Sequence, residues 1–391
     1  MEFEFWWLLA FPLFFGLGWL AARIDIKQLL TESRALPKSY FKGLNALLDE
    51  QPDKAIEAFI EVVKVDPQTI ELHFALGNLF RRRGETDRAI RMHQNLLDRA
   101  DLSQEQKYKV ISELAQDYLK AGLLDRAEEL FRRLIGTPHS EQAMNALLEV
   151  YEQEKEWVSA IDVARDLARS SGQPRDKQIA HYYCERAAQE IVHSQFDAAL
   201  HHLNDALAID KKNVRANILM GDLHVSRNDH PAALDVWKQI ETQNANYLPL
   251  IAEKIAESYT TLNRSEEGLA LLRGYLMNYP SLDLLNVVFQ ATLEQHGPEQ
   301  ANRLVREQLR RNPTLLGLDK LLEAQILESP PERRRDLELI KNLVHQHTRS
   351  LALYRCDQCG FKARQFYWRC LACGGWETYP PRRTEERMLP A

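Results

Sequence analysis

The sequence predicts an all-α protein, an array of helical hairpins preceded by one membrane-spanning helix and followed by a small metal-binding ribbon. Three observations carry that prediction. Small and large apolar residues recur every 33 to 38 residues through the middle of the chain, an uncharged run lies at its start, and four of its five cysteines gather near its end. The chain of 391 residues, with 45% hydrophobic and 27% charged residues, is ordinary globular material, long enough for two or three domains. Glycine and proline are scarce, at 16 each, which favours helices over sheet. A formal net charge of -6 argues against a nucleic-acid coat.

The first element, residues 1–22, is read as a transmembrane anchor. Phe5 to Ala22 is an eighteen-residue run without charge, just long enough to cross hydrocarbon as a helix. Trp6, Trp7 and Trp19 lie towards its ends, where indoles prefer the headgroup level, and Arg23 follows at once. A cleaved signal peptide would want a basic start and a small-x-small site, whereas Glu2 and Glu4 stand here. Arg23, Lys27, Arg34, Lys38 and Lys42 all follow the span, so the bulk of the protein is expected on the cytoplasmic side. Gly16 and Gly18, near Pro12, form a candidate contact face for another membrane helix. Residues 23–38 are a linker.

Residues 39–313 carry the repeat. Leu76-Gly77 with Phe80, Gly84, Ala89 and Leu96 recurs as Leu114-Ala115 with Tyr118, Gly122, Ala127, Phe131 and Leu134. Further copies run through Met220-Gly221, Ala233, Trp237 and Ile240, and through Ile255-Ala256, Tyr259, Gly268 and Leu272. The small residue of each first helix lets its partner approach, and so does the one opening each second helix, namely Ala55, Ala89, Ala127, Ala160, Ala199, Ala233 and Gly268. These residues match the tetratricopeptide repeat, in about eight units, of which Ala143 to Ser170 and Leu282 to Pro313 fit poorly. Such an array stacks into a solenoid with a concave groove for peptide or helix. Asn78, Arg81, Arg82, Arg83, Asn217 and His224 are groove candidates on first helices, against the plainer reading of a solvated face. Residues 314–350 stay helical without matching the repeat, and Arg333-Arg334-Arg335 opens their second helix.

Residues 351–391 hold Cys356-Asp-Gln-Cys359-Gly360 and Cys370-Leu-Ala-Cys373-Gly374. Each pair can wrap one side of a metal, because the two-residue gap brings both thiolates together while following amides point at sulfur. Two matched pairs point to one structural metal held by Cys356, Cys359, Cys370 and Cys373, zinc in preference to iron. Vicinal disulfides and an iron electron carrier remain alternatives. The aromatic and basic residues between and after the pairs, including Phe366, Trp368, Arg369 and Trp376, could serve a nucleic-acid ribbon, or supply a core that docks on the helices or on another protein. Four thiolates saturate a tetrahedral ion, so no catalytic residue is assigned. His201, His202, His345 and His347 are read as surface residues and Cys184 as a buried core thiol.

The knuckles resemble those of rubredoxin, with Asp357 and Leu371 where proline usually follows the first cysteine. Together with the stretches Gly77 to Gln94 and Tyr354 to Phe361, the anchor, array and knuckles resemble the lipopolysaccharide assembly protein B family over nearly the full length. That resemblance implies a single-pass protein of the cell inner membrane, its N-terminus periplasmic, with no catalysis of its own. It implies an adaptor that regulates lipopolysaccharide synthesis by presenting the lipid A pathway deacetylase (LpxC) to the membrane protease FtsH, and that meets a regulatory inner-membrane protein. Other lipopolysaccharide assembly proteins and a second copy of the chain are further partners it allows. A general scaffold for envelope-assembly enzymes and a nucleic-acid-binding zinc ribbon are the competing readings.

Overall fold

Six of the helix-to-helix turns are built alike. A first helix ends, one residue takes a left-handed conformation, and the second helix starts two residues later. Gly84, Gly122, Lys155, Ser194, Asn228 and Asn263 occupy that position, with φ between 54° and 79°. The amide that follows bonds back five residues, as in Glu85 N to Phe80 O, Leu123 N to Tyr118 O and Asp229 N to His224 O, each 2.9 Å, which satisfies carbonyls the helix end would leave bare. Glycine accepts this conformation freely. Lysine and serine do so at a cost of about 1 kcal/mol, which the surrounding packing must offset.

The computed structural model describes residue 19 and residues 38–49, 51–65 and 70–387. The expected anchor over 5–22 and linker over 23–38 therefore lie outside the described residues, apart from Trp19 and Lys38. Among the described residues no helix is long and apolar enough to cross a membrane.

The chain forms two compact units, 1–154 and 155–391. In the first, the helices are α1 (Lys38–Leu48), α2 (Pro52–Val65), α3 (Ile70–Arg82), α4 (Thr86–Leu97), α5 (Gln104–Lys120), α6 (Leu124–Arg132) and α7 (Ser140–Glu154), packed in sequence order. Two first helices carry a glycine that meets a ring from the partner helix. A Cβ on Gly43 would lie 2.5 Å from the Phe59 ring, and one on Gly77 would lie 2.4 Å from that of His93. His93 is fully buried and faces the equally buried Asp117 across 2.5 Å, and Asp117 also receives Arg81 at 2.7 Å. Asn78 joins the same network through Arg81. These two groove candidates are thus bonded partners inside the first unit.

The second unit contains α8 (Trp157–Ser171), α9 (Asp176–Val192), α10 (Phe196–Ile209), α11 (Val214–Ser226), α12 (His230–Asn244), α13 (Ala252–Thr261), α14 (Ser265–Asn278), α15 (Leu282–His296), α16 (Pro298–Arg311), α17 (Leu315–Glu328) and α18 (Pro331–Thr348). A 3-10 turn, Ala245–Leu250, with Pro249 inside it, separates α12 from α13 and sends Tyr247 and Leu248 into the core. Ala55, Ala89, Ala127, Ala160, Ala199 and Ala233, expected to open second helices against a close neighbour, are all at 0% exposure. Gly221 and Gly268 lie under Trp237 and Tyr259. Residues beyond 314 form one more packed pair, α17 with α18.

Two expectations are corrected. His202 is not a surface residue: it is 8% exposed, because it shares the buried stripe of α10 with Ala199, Leu203 and Ala206. Asn217 is likewise buried at 2%, so it faces the helix core and no groove. His201, His345 and His347 are exposed, and Cys184 is buried at 0%, its thiol pushed up to about 12 by desolvation.

Candidate metal centre

The ribbon begins with β1 (Tyr354–Arg355), paired antiparallel with β2 (Lys362–Ala363) in the register Tyr354 to Ala363. Between and after these strands the two knuckles repeat one geometry. Gly360 N donates to Cys356 O at 3.0 Å and Gly374 N to Cys370 O at 2.9 Å; Cys356 N donates to Phe361 O and Cys370 N to Gly375 O, both at 2.9 Å. Gly360 and Gly374 turn with φ of 77° and 70°. The glycine closing each knuckle supplies that conformation without strain, which is why both pairs end on it.

All four sulfurs lie within 4.8 Å of one another. Cys356 and Cys373 are 3.8 Å apart, and Cys359 and Cys370 3.6 Å. A tetrahedral ion with metal–sulfur bonds of about 2.3 Å needs sulfur edges of about 3.8 Å, so the donor set fits. A disulfide needs about 2.05 Å, and the cysteines are free thiols. Cys356 and Cys370 face inward while Cys359 and Cys373 are exposed. Without a cation the thiols oppose one another. Burial pushes Cys356 up, but the Thr378 hydroxyl and the amides of Cys359 and Gln358 bring it down to about 6. The amide of Phe361 favours the Cys359 thiolate, yet burial and the neighbouring cysteines push that thiol up to about 12. One dication among them lets all four ionise together.

The ribbon is packed on the helices of its own unit. Trp376 stacks on His181 of α9, ring centres 4.7 Å apart and 14° from parallel, and Trp368 stacks on Tyr247 at 5.2 Å and 7°. Glu377 Oε1 lies 3.2 Å from His181 Nε2. Arg383 forks onto Asp283 near the start of α15, with bonds of 2.7 and 3.0 Å, and the Tyr354 hydroxyl donates to the same carboxylate at 2.7 Å. A second 3-10 turn, Glu385–Arg387, then caps two helices at once. Glu386 accepts from Leu282 N of α15 at 2.7 Å; Glu385 accepts from Leu315 N and Leu316 N of α17 at 2.5 and 2.9 Å. A carboxylate there meets bare amides and the positive helix end together.

The four predicted cysteines thus converge, and the aromatic residues beside them form the docking face on the helices. The indoles that a nucleic-acid ribbon would offer to bases are occupied by His181 and Tyr247. Residues Asp283, Glu385 and Glu386 escaped the sequence reading. Glu385-Glu386 beside Arg387 reads as a solvated charge cluster, and no local pattern announces that it caps helices 69 to 104 residues away.

Fold and site together define a tetratricopeptide-repeat protein with a C-terminal rubredoxin-type metal-binding domain. Family models bear this out: a rubredoxin metal binding domain matches residues 354–381, and tetratricopeptide repeats match 72–107 and 112–174. Lipopolysaccharide assembly protein B of Escherichia coli strain K12 is 34% identical over 378 residues, covering 96% of this chain and 97% of that protein. Its namesake in Haemophilus influenzae is 30% identical, covering 97% and 98%. The chain belongs to the lipopolysaccharide assembly protein B family. A solved tetratricopeptide repeat protein from Parabacteroides merdae aligns with 78% of this chain and 98% of its own, at 13% identity and a TM-score of 0.34, too loose a likeness to build on.

Proposed function

We propose that the protein is a non-catalytic inner-membrane adaptor that restrains lipopolysaccharide synthesis by presenting the lipid A pathway deacetylase (LpxC) to the membrane protease FtsH. In this reading residues 5–22 span the membrane with the helices on the cytoplasmic side, repeats over 39–313 hold the client, and 314–350 join the array to the ribbon. Cys356, Cys359, Cys370 and Cys373 hold one structural metal ion, zinc in preference to iron, which cross-links the two knuckles and contributes folding free energy. The observation that carries the reading is the docked ribbon. Its four sulfurs leave no coordination position for a substrate, and its indoles Trp368 and Trp376 are stacked on helices, which favours a structural centre that supports a surface. Family membership over nearly the whole chain supports a place in lipopolysaccharide assembly.

The mechanism is effective concentration. Holding a client beside a membrane protease turns a bimolecular encounter into a local one, with gains on the order of a hundredfold or more without new contacts at the protease. Deleting residues 1–22 is expected to leave a folded, metal-binding protein that no longer speeds deacetylase turnover in cells. Unchanged turnover in that truncation would refute the adaptor. The relatives' name, which speaks of assembly, favours a broader scaffold as the second reading. Crosslinked co-purification from membranes separates them, since a scaffold would bring envelope enzymes without the protease.

A further inference from the structure

A groove of about 490 Å³ lies between the first helices α13 and α15, with Leu269 and Leu272 of α14 in its floor. The α13 wall carries Glu253 and Glu257, one turn apart, and the α15 wall carries Asn286, Gln290 and Glu294 at the same spacing. The three carboxylates are exposed, and none of them forms an ion pair among the described residues. No basic side chain lines the groove. Lys254, beside Glu253 on α13, is taken up by Asp222 at 2.6 Å. The buried chemistry of the wall has the same sign. Gln295 donates through Nε2 to Ser265 O at 3.3 Å, which fixes its amide and leaves its Oε1 buried without a donor. What the groove lacks is therefore one-sided: donors and positive charge.

We propose that this groove binds an extended basic segment of a protein partner, with lysine or arginine at alternate positions. Four helical residues rise about 6 Å, and alternate side chains of an extended chain stand about 6.7 Å apart. Successive cations of the segment can thus meet Glu253 and Glu257 in turn, with Glu294 acting from the facing wall. Ammonium and guanidinium groups carry donors only, which is what the carboxylates and Gln295 Oε1 need. The Asn286 and Gln290 carboxamides, each with two donors and an acceptor, complement the peptide units between the cations. A single metal ion does not fit. Among the described residues only the four cysteines bring three or more ligand atoms within 4.8 Å of one another, so the three carboxylates do not converge. An acidic segment or an anionic headgroup would meet like charge on both walls. The inference rests on the adaptor reading in taking a client protein as the source of the segment, and it places that contact on α13 and α15 instead of on Arg81 or Asn217.

The test uses the full chain, purified with its metal in detergent, and a fluorescein-labelled, C-terminally amidated peptide Ala-Arg-Ala-Lys-Ala-Arg-Ala, followed by anisotropy. Saturable binding is expected, and none for the twin with glutamate in place of each basic residue. Glu253→Gln and Glu257→Gln should each weaken binding about threefold and together about tenfold. Neither should lower the melting temperature, because each removes one of several like charges from an exposed wall. Glu307→Gln removes the same charge from an exposed position on α16 outside the groove and should leave binding unchanged. Undiminished binding in the double variant overturns the site. An equal loss in Glu307→Gln overturns it as well, since net charge alone would then account for the binding. Displacement by spermidine as strong as by the unlabelled peptide assigns the groove to any polycation and overturns the peptide segment. Anisotropy reads the groove and cellular deacetylase turnover reads the adaptor, so either can fail alone.

Discussion

Asp283→Asn tests whether the ribbon is held by specific polar bonds or merely rests on the helices. Asp283 accepts from Arg383 Nη2 at 2.7 Å, from Arg383 Nε at 3.0 Å and from the Tyr354 hydroxyl at 2.7 Å. The asparagine keeps the shape and removes the charge, so Arg383 is left over the Tyr354 ring with Ala352 O as its main acceptor. Breaking a fully buried pair from one side costs about 3–5 kcal/mol. Here the two side chains keep 23% and 26% exposure, so water takes over part of the lost interaction. A loss of about 2–3 kcal/mol is therefore expected. It should fall on local opening of the ribbon, which Asp283 clamps, more than on unfolding of the helices. Native-state hydrogen exchange of peptides covering 351–387 reads that opening directly, and about 30- to 150-fold faster exchange is expected. Exchange unchanged in the variant, with metal still bound, would show that the fork adds nothing and that stacking alone holds the ribbon.

Gly221→Ala should lower stability by about 1–3 kcal/mol, since its Cβ would lie 2.1 Å from Trp237 Nε1 in a core with no room to yield. Gly274→Ala, in a helix with nothing within 4 Å, should instead raise it by about 0.5–1 kcal/mol, and thermal melts of the pair check both signs. His181 makes docking depend on pH. Burial holds it below the ordinary histidine value, with Glu377 only partly opposing, and protonation at the buried, unpartnered Nδ1 would create an unmet donor. The unfolded chain therefore takes up the proton first, and stability falls as pH drops below about 6.5. His181→Phe keeps a ring against Trp376 and should flatten exchange of the ribbon between about pH 7 and 5.5. An equal slope in both proteins would sink this assignment.

Much of the molecule was legible because its signals are local and periodic. The spacing of Ala89, Ala127, Ala199 and Ala233 announces a close neighbour wherever it falls, since helix approach depends on side-chain size alone. The paired cysteines announce two matched knuckles because two intervening residues and a glycine suffice to shape each one. His202 was misread for the opposite reason. Polar chemistry suggested solvent, but its place three residues after Ala199 and one before Leu203 puts it on the buried stripe, and periodicity outweighs polarity there. The turns at Lys155 and Ser194 were hidden too, since neither residue type favours the left-handed backbone that the flanking helices impose.

By itself, then, the sequence determined the repeat, the two cysteine knuckles and the membership of the chain in its family, because each depends on residues close together along the chain. Only the tertiary structure decided where the ribbon sits. Its docking joins Trp376 to His181, Arg383 to Asp283, and Glu385 to the start of α17, across 195, 100 and 70 residues. Charges and rings at such separations carry no mark of their partners until the helices between them have packed.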